Sequence, residues 1–219
     1  MRIEFLNCSA KNRTGYTTLN GINLTLREGS FNIVSGDDKS GKSLLLYLAY
    51  GLIKSTDGMV LIDKQPLKNF NNKRLISHQR DMALITKNPE LIDRLNVFDN
   101  VSLPLRIRGI SQDEINHRVR AALKELDIKH LEFASPKNLS TGVRQRICIA
   151  RFVALRPKVL LINDIFFHLN SKEKQMIDQL LIGLNEAGAT ILLVTDITRI
   201  HRIEGARFLT LWRGELSPS

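Results

Sequence analysis

The stretch that decides the fold is 31-FNIVSGDDKSGKSLLLYLAYGL-52, in which a glycine-rich loop joins two apolar runs. Gly36, Gly41, Lys42 and Ser43 fit the spacing G-x-x-x-x-G-K-[ST] of a phosphate-binding P-loop. The glycines allow several backbone N–H groups to converge on one phosphate, and the following helix adds its positive N-terminal end. The flanking apolar runs, which predict a strand and a helix, favour this interpretation over a glycine turn that binds no nucleotide.

Each residue type in the loop has an expected role. Lys42 can reach the β- and γ-phosphates of a nucleotide, and Ser43 can offer its hydroxyl to Mg²⁺. Two carboxylates in the loop would repel a phosphate unless they turn outward. The predicted nucleotide-binding residues of the loop are Gly36, Asp37, Asp38, Lys39, Ser40, Gly41, Lys42, Ser43 and Leu44.

Composition narrows the class of protein. The 219 residues are 43% hydrophobic and 25% charged, which is typical of a globular chain with a full core. The first residues lack the apolar segment of a secretory signal, and no stretch is long enough to cross a bilayer, so we expect a cytoplasmic chain. The net charge of +10 suits an anionic neighbour, but the basic residues are dispersed, so direct nucleic-acid binding is not expected. Cys8 and Cys148 are predicted to be buried free thiols.

The order of patterns predicts an α/β fold with a β-rich first part, a mostly parallel sheet and a helical subdomain at about 88–156, all within one domain, 1–219. Residues 88–105 carry two prolines and are predicted to be loop-like or weakly helical. Ser111 with Glu114 predicts a capping box at the start of a helix that reaches about Leu126. A second helix is predicted from Val143 to Leu155, and a third begins at Asn170 with Glu173 and closes at Gly188.

Three further motifs follow the P-loop along the chain. Residues 139–146 read LSTGVRQR, the apolar run 159–162 is followed by Asn163 and Asp164, and Leu169 and Asn170 come next. This order resembles the nucleotide-binding subunit of ATP-binding-cassette (ABC) transporters, over essentially the whole chain. Residues 94–105, RLNVFDNVSLPL, look most like the subgroup that contains the cell-division ATPase FtsE and the lipoprotein-release and macrolide-export ATPases.

The resemblance implies a P-loop NTPase of ABC type, with an antiparallel β part beside the mostly parallel sheet and the helical subdomain. It also implies the use of ATP and Mg²⁺. Two copies would pair head to tail, so that Ser140 and the Gly142 amide of one copy meet the γ-phosphate held by the other. The helical subdomain would dock on a membrane-spanning, permease-like subunit. The chain would therefore lie on the inner face of the cell membrane, held there by that partner.

Several positions depart from the family pattern. Asn163 stands where the magnesium-linked aspartate would be, and Asp164 stands where a glutamate would orient the attacking water. If the register slipped by one residue, Asp164 would serve the metal and Ile165 would replace the base. Asp196 replaces the histidine that touches the γ-phosphate, Lys87 replaces the metal-contacting glutamine, and Thr141 replaces the first glycine of the signature segment. Asn12 replaces the aromatic residue that stacks on adenine, and Tyr16 is close enough to substitute.

These substitutions lead to two hypotheses of function. The first is an ATP-binding subunit of an ABC-type membrane complex, FtsE-like or in lipoprotein or lipid export, in which hydrolysis is weak or lost. The second is a nucleotide-responsive scaffold or regulatory pseudo-ATPase without turnover. A third, an ABC protein acting on DNA or ribosomes, is disfavoured because the chain lacks a coiled-coil insertion and a second cassette.

Overall fold

The structure is a computed structural model that describes residues 1–12, 17–37, 39–86, 90–165, 170–196 and 203–218. Within these residues the chain forms two compact units. The first comprises Met1–Leu84, Lys158–Asp164 and Asn185–Ser219, and the second comprises Ile85–Pro157 and Ile165–Leu184. None of the described helices is long and apolar enough to cross a bilayer.

Ten strands are described, and they form two sheets. In chain order they are β1 Ile3–Lys11, β2 Thr17–Leu26, β3 Phe31–Gly36, β4 Asp57–Ile62, β5 Gln65–Pro66, β6 Met82–Ile85, β7 Val159–Asn163, β8 Thr190–Asp196, β9 Arg207–Trp212 and β10 Glu215–Pro218. One sheet has the order β2-β1-β4-β5 and is antiparallel. The other has the order β10-β9-β3-β8-β7-β6, and its central pairs β3–β8, β3–β9 and β7–β8 are parallel. The predicted α/β architecture is confirmed.

Six helices are described. They are α1 Lys42–Tyr50, α2 Asn72–Arg80, α3 Val97–Ile107, α4 Gln112–Glu125, α5 Thr141–Leu155 and α6 Ser171–Glu186. Helix α1 contacts β3, β7 and β8 in the first unit, and α5 contacts α3 and α4 in the second. Helix α1 ends at Gly51, whose left-handed backbone (φ 80°) places its N–H on the carbonyls of Leu48 and Tyr47.

The core of the first unit lies between α1 and the two sheets. Alternate residues of the parallel strands meet buried leucines of α1 and the inner face of the antiparallel sheet. Strand β3 is buried along its whole length, as expected of a central strand that is covered on both faces. Members of this core are Val34, Leu45, Leu46, Leu48, Leu161, Leu192, Val194, Leu209, Leu211, Phe5 and Leu24.

Of the two alternatives predicted for 88–105, loop-like or weakly helical, the second half is helical, since α3 begins at Val97 and continues through Pro104. The Asn96 side chain caps this helix by accepting the N–H of Asp99 at 2.7 Å. The polar stretch 68–80, for which no helix was predicted, contains α2, and its Asn71 cap accepts the N–H of Arg74 at 2.9 Å. In both cases a short cap residue supplies the start signal that the weak apolar pattern does not.

One of the two predicted capping boxes is wrong. Ser111 precedes α4, but its side chain makes no capping hydrogen bond in this described segment, and Glu114 pairs instead with Arg118 one turn on, at 2.5 Å. The box at Asn170 and Glu173 forms as predicted, with reciprocal bonds of 3.0 and 2.9 Å. The difference is that Glu114 has an arginine at i+4 which competes for its carboxylate.

Both cysteines are buried free thiols, as predicted. The Cys8 thiol donates to the Met59 carbonyl at 2.9 Å. Burial raises the pKa of Cys148 to about 11, so this thiol stays protonated at neutral pH. Neither thiol therefore has the character of a nucleophile.

Candidate functional site

The P-loop follows β3, and neither of its two glycines leaves room for a side chain. A Cβ added at Gly36 would lie 2.4 Å from the Leu211 carbonyl oxygen and 2.8 Å from the Ser40 hydroxyl. Gly41 has φ 99°, and a Cβ there would lie 2.8 Å from a methyl group of Leu19. Only glycine fits at either position without moving its neighbours, so the loop has the close-packed form that a phosphate cradle requires.

Lys42 is folded into this loop. Its ammonium group donates to the carbonyls of Gly36 and Asp37 and lies 3.4 Å from the Ser40 hydroxyl. Within the loop itself, the Ser40 N–H bonds the Asp37 carbonyl at 3.1 Å. The lysine charge therefore sits at the point where the loop amides turn, which is where an anion would be bound.

The remaining loop residues surround this point. Asp37 and Lys39 are exposed, and Leu44 is half-buried against the core of the first unit. Asp38 lies outside the described residues, as do Tyr16 and Lys87. The exposure of Asp37 leaves its carboxylate open to solvent.

Asn163 is brought directly to the P-loop helix. Its side-chain amide nitrogen lies 3.0 Å from the Ser43 hydroxyl oxygen. Asn163 is the last residue of β7, and Ser43 is in the first turn of α1, so the fold joins two motifs that are far apart in the sequence. This contact favours the register in which Asn163, rather than Asp164, faces the serine.

Asp164 occupies a strained and buried position. It has φ 47°, its side chain is largely buried, and its N–H bonds the Val194 carbonyl at 2.9 Å. The buried Thr195 hydroxyl donates to the Asp164 carboxylate at 3.4 Å. This partner was not predicted, although a threonine near the end of an otherwise apolar strand was the available signal.

Asp196 lies on the neighbouring strand. In the parallel pair β3–β8 it is opposite Gly36, the first glycine of the P-loop, and Asn163 is opposite Val194 in the pair β7–β8. The carboxyl ends of parallel strands meet at one edge of a sheet. Gly36, Asn163, Asp164 and Asp196 therefore lie together at this edge of the first unit.

The Ser43 hydroxyl is the group that a P-loop offers to Mg²⁺. The side chain that contacts the Ser43 hydroxyl is a neutral amide, and either orientation of that amide leaves the position without charge. Mg²⁺ in such sites is bound through one or two carboxylates together with substrate phosphates. The described side chain that contacts Ser43 is therefore a neutral amide in place of a carboxylate.

The predicted signature segment begins α5, in the second unit. The Ser140 hydroxyl caps this helix by accepting the N–H of Val143 at 3.4 Å. Thr141 is exposed and Gly142 is half-buried in the first turn. An exposed serine cap at the start of a 15-residue helix presents a hydroxyl, amide groups and a positive helix end to an anion.

A family model and the curated relatives of this chain indicate the same protein family. A family model described as ABC transporter matches residues 19–166. The methionine import ATP-binding protein MetN of Clostridium acetobutylicum is 34% identical over 194 residues, which cover 88% of this chain and 60% of that protein. The protein of the same name from Legionella pneumophila is 36% identical over 186 residues, which cover 84% of this chain and 54% of that protein. The chain thus spans little more than half the length of these curated relatives.

Solved structures agree with this family along almost the whole chain. The dimeric post-hydrolysis state of the ATP-binding cassette MJ0796, bound to ADP and Pi, has a TM-score of 0.85 and 30% identity, and covers 99% of this chain and 98% of that one. The cbiO1 protein from Clostridium perfringens, part of an ABC transporter complex, has a TM-score of 0.84 and 25% identity, and covers 98% and 86%. With a P-loop, a serine-capped signature helix and this agreement in fold, the chain belongs to the ABC transporter family of ATP-binding proteins.

Proposed function

We propose that this chain is the nucleotide-binding subunit of an ABC-type membrane complex, and that it binds ATP but hydrolyses it slowly or not at all. The observation that carries this proposal is the contact between Ser43 and Asn163, 3.0 Å long, beside an intact P-loop. The loop supplies what binding needs, while the neighbouring strand lacks a group that turnover needs.

Binding is supported by the geometry of the loop. Two close-packed glycines, the inward Lys42 ammonium and the start of α1 create a compact positive site. The three backbone and side-chain contacts of Lys42 hold its charge in place before a ligand arrives. Such a preformed site needs little reorganisation to accept phosphates.

Slow turnover is supported by the residues around the loop. Phosphoryl transfer depends almost wholly on positioning and on neutralising the developing charge. Loss of one well-placed donor lowers rate by about 10²–10³ in other enzymes. Here Asn163 brings no charge to the serine, Asp164 is buried against Thr195, and Asp196 adds a negative charge at the same edge of the sheet.

We propose a homodimer and a membrane-spanning partner for the assembly. The MJ0796 cassette, which matches this chain over 99% of its length, is dimeric in its ADP-bound structure. In a similar head-to-tail dimer, Ser140 and Gly142 of one copy would meet the nucleotide of the other, and the permease would hold the pair at the inner membrane face. Isolation of the tagged chain from detergent-solubilised membranes, with a multi-span membrane protein retained, tests this assembly.

Two sources of support point to different pathways for the complex. Residues 94–105 favour the FtsE or lipoprotein-release subgroup, whereas the curated relatives described above are named for methionine import. The import relatives match along most of the chain, whereas the FtsE-like stretch, residues 94–105, covers only twelve residues around α3. We therefore place solute transport ahead of cell division.

The experiment is a binding titration with fluorescently labelled ATP. The native chain should bind saturably, and Lys42→Ala should weaken binding at least about tenfold because it removes the charge inside the loop. Lys54→Ala, which removes an exposed lysine outside the loop, is the matched control and should bind like the native chain. A folded native chain that fails to bind, or a Lys42→Ala variant that binds normally, would contradict the proposal.

The second candidate, a nucleotide-responsive scaffold, is favoured by Asn163 and Asp196 together. It predicts that nucleotide changes dimerisation although no phosphate is released. Sedimentation of the chain with and without nucleotide, beside a phosphate-release assay, separates it from a slow transport ATPase. Dimerisation without release supports the scaffold, and release that rises with the membrane partner supports the transporter.

A further inference from the structure

We infer that helix α2 contacts the anionic surface of a phospholipid membrane directly, through an exposed basic face on the first unit. This contact is additional to the proposed permease partner and does not depend on nucleotide binding. Three observations support it: the charge of residues 64–80, the lack of ion pairs on their basic side chains within the described residues, and an exposed isoleucine among those side chains.

The charge of the first unit is concentrated in one segment around α2. Residues 64–80 read KQPLKNFNNKRLISHQR, with five basic residues and no acidic residue, which gives a formal charge of +5 with His78 neutral. All five basic side chains are exposed, and they are Lys64, Lys68, Lys73, Arg74 and Arg80. Although the basic residues of the whole chain are dispersed, this segment therefore presents a continuous positive surface.

The basic side chains of this segment keep their charge unneutralised. Within the described residues, none of the five forms an ion pair. The two aspartates that flank the segment have other partners, because Asp63 accepts the backbone N–H of Arg2 at 2.8 Å and Asp81 pairs with Lys158 at 2.9 Å. An anionic partner could therefore bind the segment without breaking a described ion pair.

Helix α2 turns one face to solvent and the other to the end of α1. On the inner face, the His78 ring lies 3.5 Å from the Ala49 carbonyl oxygen, and the Gln79 amide donates to the Tyr50 carbonyl at 3.2 Å. The outer side chains are exposed and follow the i, i+3, i+4, i+7 spacing of one helix face. This set, which we call the α2 face, comprises Lys73, Ile76, Ser77 and Arg80.

Arg74 adds a fixed charge beside the α2 face. Its guanidinium carbon lies 4.1 Å from the centre of the Phe70 ring, and a terminal nitrogen donates to the side-chain oxygen of Gln65. The Phe70 ring in turn packs edge-on against His78, with 6.0 Å between ring centres. These contacts orient the guanidinium but leave its charge in place, because an aromatic ring and an amide are both neutral.

Ile76 favours a lipid surface over other anionic partners. Its side chain is 52% exposed and lies between the basic residues of the α2 face. Lysines and arginines around an exposed apolar side chain are typical of a helix that lies at a membrane interface, where the headgroups attract the charges and the acyl boundary accepts the apolar group. A nucleic acid would instead favour exposed aromatic rings for base stacking, and Phe70, the aromatic residue of this segment, is half-buried beneath Arg74.

Flotation of the full chain with lipid vesicles, without nucleotide or permease, tests the inference. The native chain should bind vesicles that contain about 30% phosphatidylglycerol at least about tenfold more tightly than vesicles of phosphatidylcholine alone. Raising the salt from about 0.1 M to about 0.5 M should remove most of this binding, because salt screens exposed charges. Since neither nucleotide nor permease is present, the result is independent of the proposed function.

Two variants of the α2 face separate its charge from its apolar side chain. Lys73→Gln combined with Arg80→Gln should weaken binding to the anionic vesicles at least about tenfold, because each basic residue near such a surface contributes about fivefold. Ile76→Ser keeps the charge and should weaken the same binding about threefold or more, because it removes the apolar group from the acyl boundary. All three positions are exposed, so the variants should keep the native circular dichroism.

A matched control removes the same charge from the second unit. Lys124→Gln combined with Lys129→Gln changes two exposed lysines that have the exposed acidic residues Glu125 and Asp127 between them, and it should bind the anionic vesicles like the native chain. Equal weakening by this control and by the double variant of the α2 face would overturn the inference, since net charge alone would then explain binding.

Three other results would also overturn the inference. They are equal binding of the native chain to neutral and anionic vesicles, native binding by the double variant of the α2 face, and native binding by Ile76→Ser. Single-stranded RNA of random sequence serves as the competing anion. If RNA displaced the native chain from the anionic vesicles and the double variant no longer bound RNA, the α2 face would be assigned to nucleic acid instead of lipid.

Discussion

Gly36 and Gly183 show how the same residue can be required at one place and replaceable at another. A methyl group at Gly36 would overlap the Leu211 carbonyl and the Ser40 hydroxyl, whereas the exposed Gly183 of α6 has no described atom within 4 Å of an added Cβ. Gly36→Ala should lower the free energy of unfolding by about 1–3 kcal/mol and abolish nucleotide binding. Gly183→Ala should raise the free energy of unfolding by about 0.5–1 kcal/mol and leave nucleotide binding unchanged. Urea denaturation with a binding titration measures both.

Two results would contradict the prediction for Gly36 and Gly183. If Gly36→Ala and Gly183→Ala changed stability equally, the close contact at Gly36 would not constrain the loop. If Gly36→Ala kept native nucleotide affinity, the P-loop would not be the binding site.

His78 gives a pH-dependent prediction. Burial lowers its pKa below the ordinary value of 6.5, with its ring 3.5 Å from the Ala49 carbonyl. The unfolded chain therefore takes up a proton first as pH falls, so the stability present above about pH 6.5 is lost as the pH falls from there through the folded pKa. His78→Gln should lose less stability between about pH 7.5 and 5 than the native chain, measured by denaturant midpoints. His117→Gln changes an exposed histidine and should behave like the native chain, and a native-like loss in His78→Gln would contradict this prediction.

At the residue scale, the sequence alone could predict the placement of motifs but not the contacts between them. The spacing of Gly36, Gly41, Lys42 and Ser43 is local, so it predicted a P-loop. The Asn163 contact with Ser43 joins residues that are 120 positions apart. It depends on the register of β7 against the sheet, which no local pattern contains.

Helix α3 had only a weak signal in the sequence, because Pro104 lies inside it. Proline lacks the N–H that would bond the carbonyl four residues earlier, which is that of Asn100. The Arg151 guanidinium of α5 takes that place, donating from Nε to the Asn100 carbonyl at 3.0 Å and from a terminal nitrogen to its side-chain oxygen at 2.6 Å. A helix with an internal proline is thus completed by a residue about fifty positions later in the chain.

This arrangement predicts coupling between Pro104 and Arg151. Arg151→Met should destabilise the native chain by about 1–3 kcal/mol, since it removes the Arg151 donor from the buried Asn100 carbonyl. In a Pro104→Ala background the new N–H can bond the Asn100 carbonyl, so the same substitution should cost less. A double-mutant cycle by urea denaturation measures the difference, and additive effects of the two substitutions would contradict the explanation.

The two predicted capping boxes differ in whether their hydrogen bonds form. Asn170 and Glu173 form the reciprocal box that their spacing predicts. Ser111 and Glu114 have the same spacing, yet Arg118 takes the glutamate. The sequence signal therefore fixes where a helix begins, while neighbouring charges on the helix decide which hydrogen bonds form.

At the scale of the whole molecule, the alternation of apolar runs and helices predicted the parallel sheet because each buried strand is continuous and short. The antiparallel hairpin of β9 and β10 has a weaker sequence signal, since β10 is largely exposed and lacks an apolar run. The family resemblance predicted more of the fold than the patterns of apolar and polar residues did. The substrate pathway depends on partners that the pattern of one chain does not specify.

Slow hydrolysis is tested most directly by steady-state ATP turnover of the purified chain with its membrane partner, measured by phosphate release. We expect a rate near background from the native chain, although ATP binds, because Asn163 brings no charge to Ser43 and Asp196 stands in place of a donor. A variant that combines Asn163→Asp, Asp164→Glu and Asp196→His should exceed the native rate at least about tenfold. Native turnover comparable to that of ordinary transport ATPases, and abolished by Lys42→Ala, would contradict the claim.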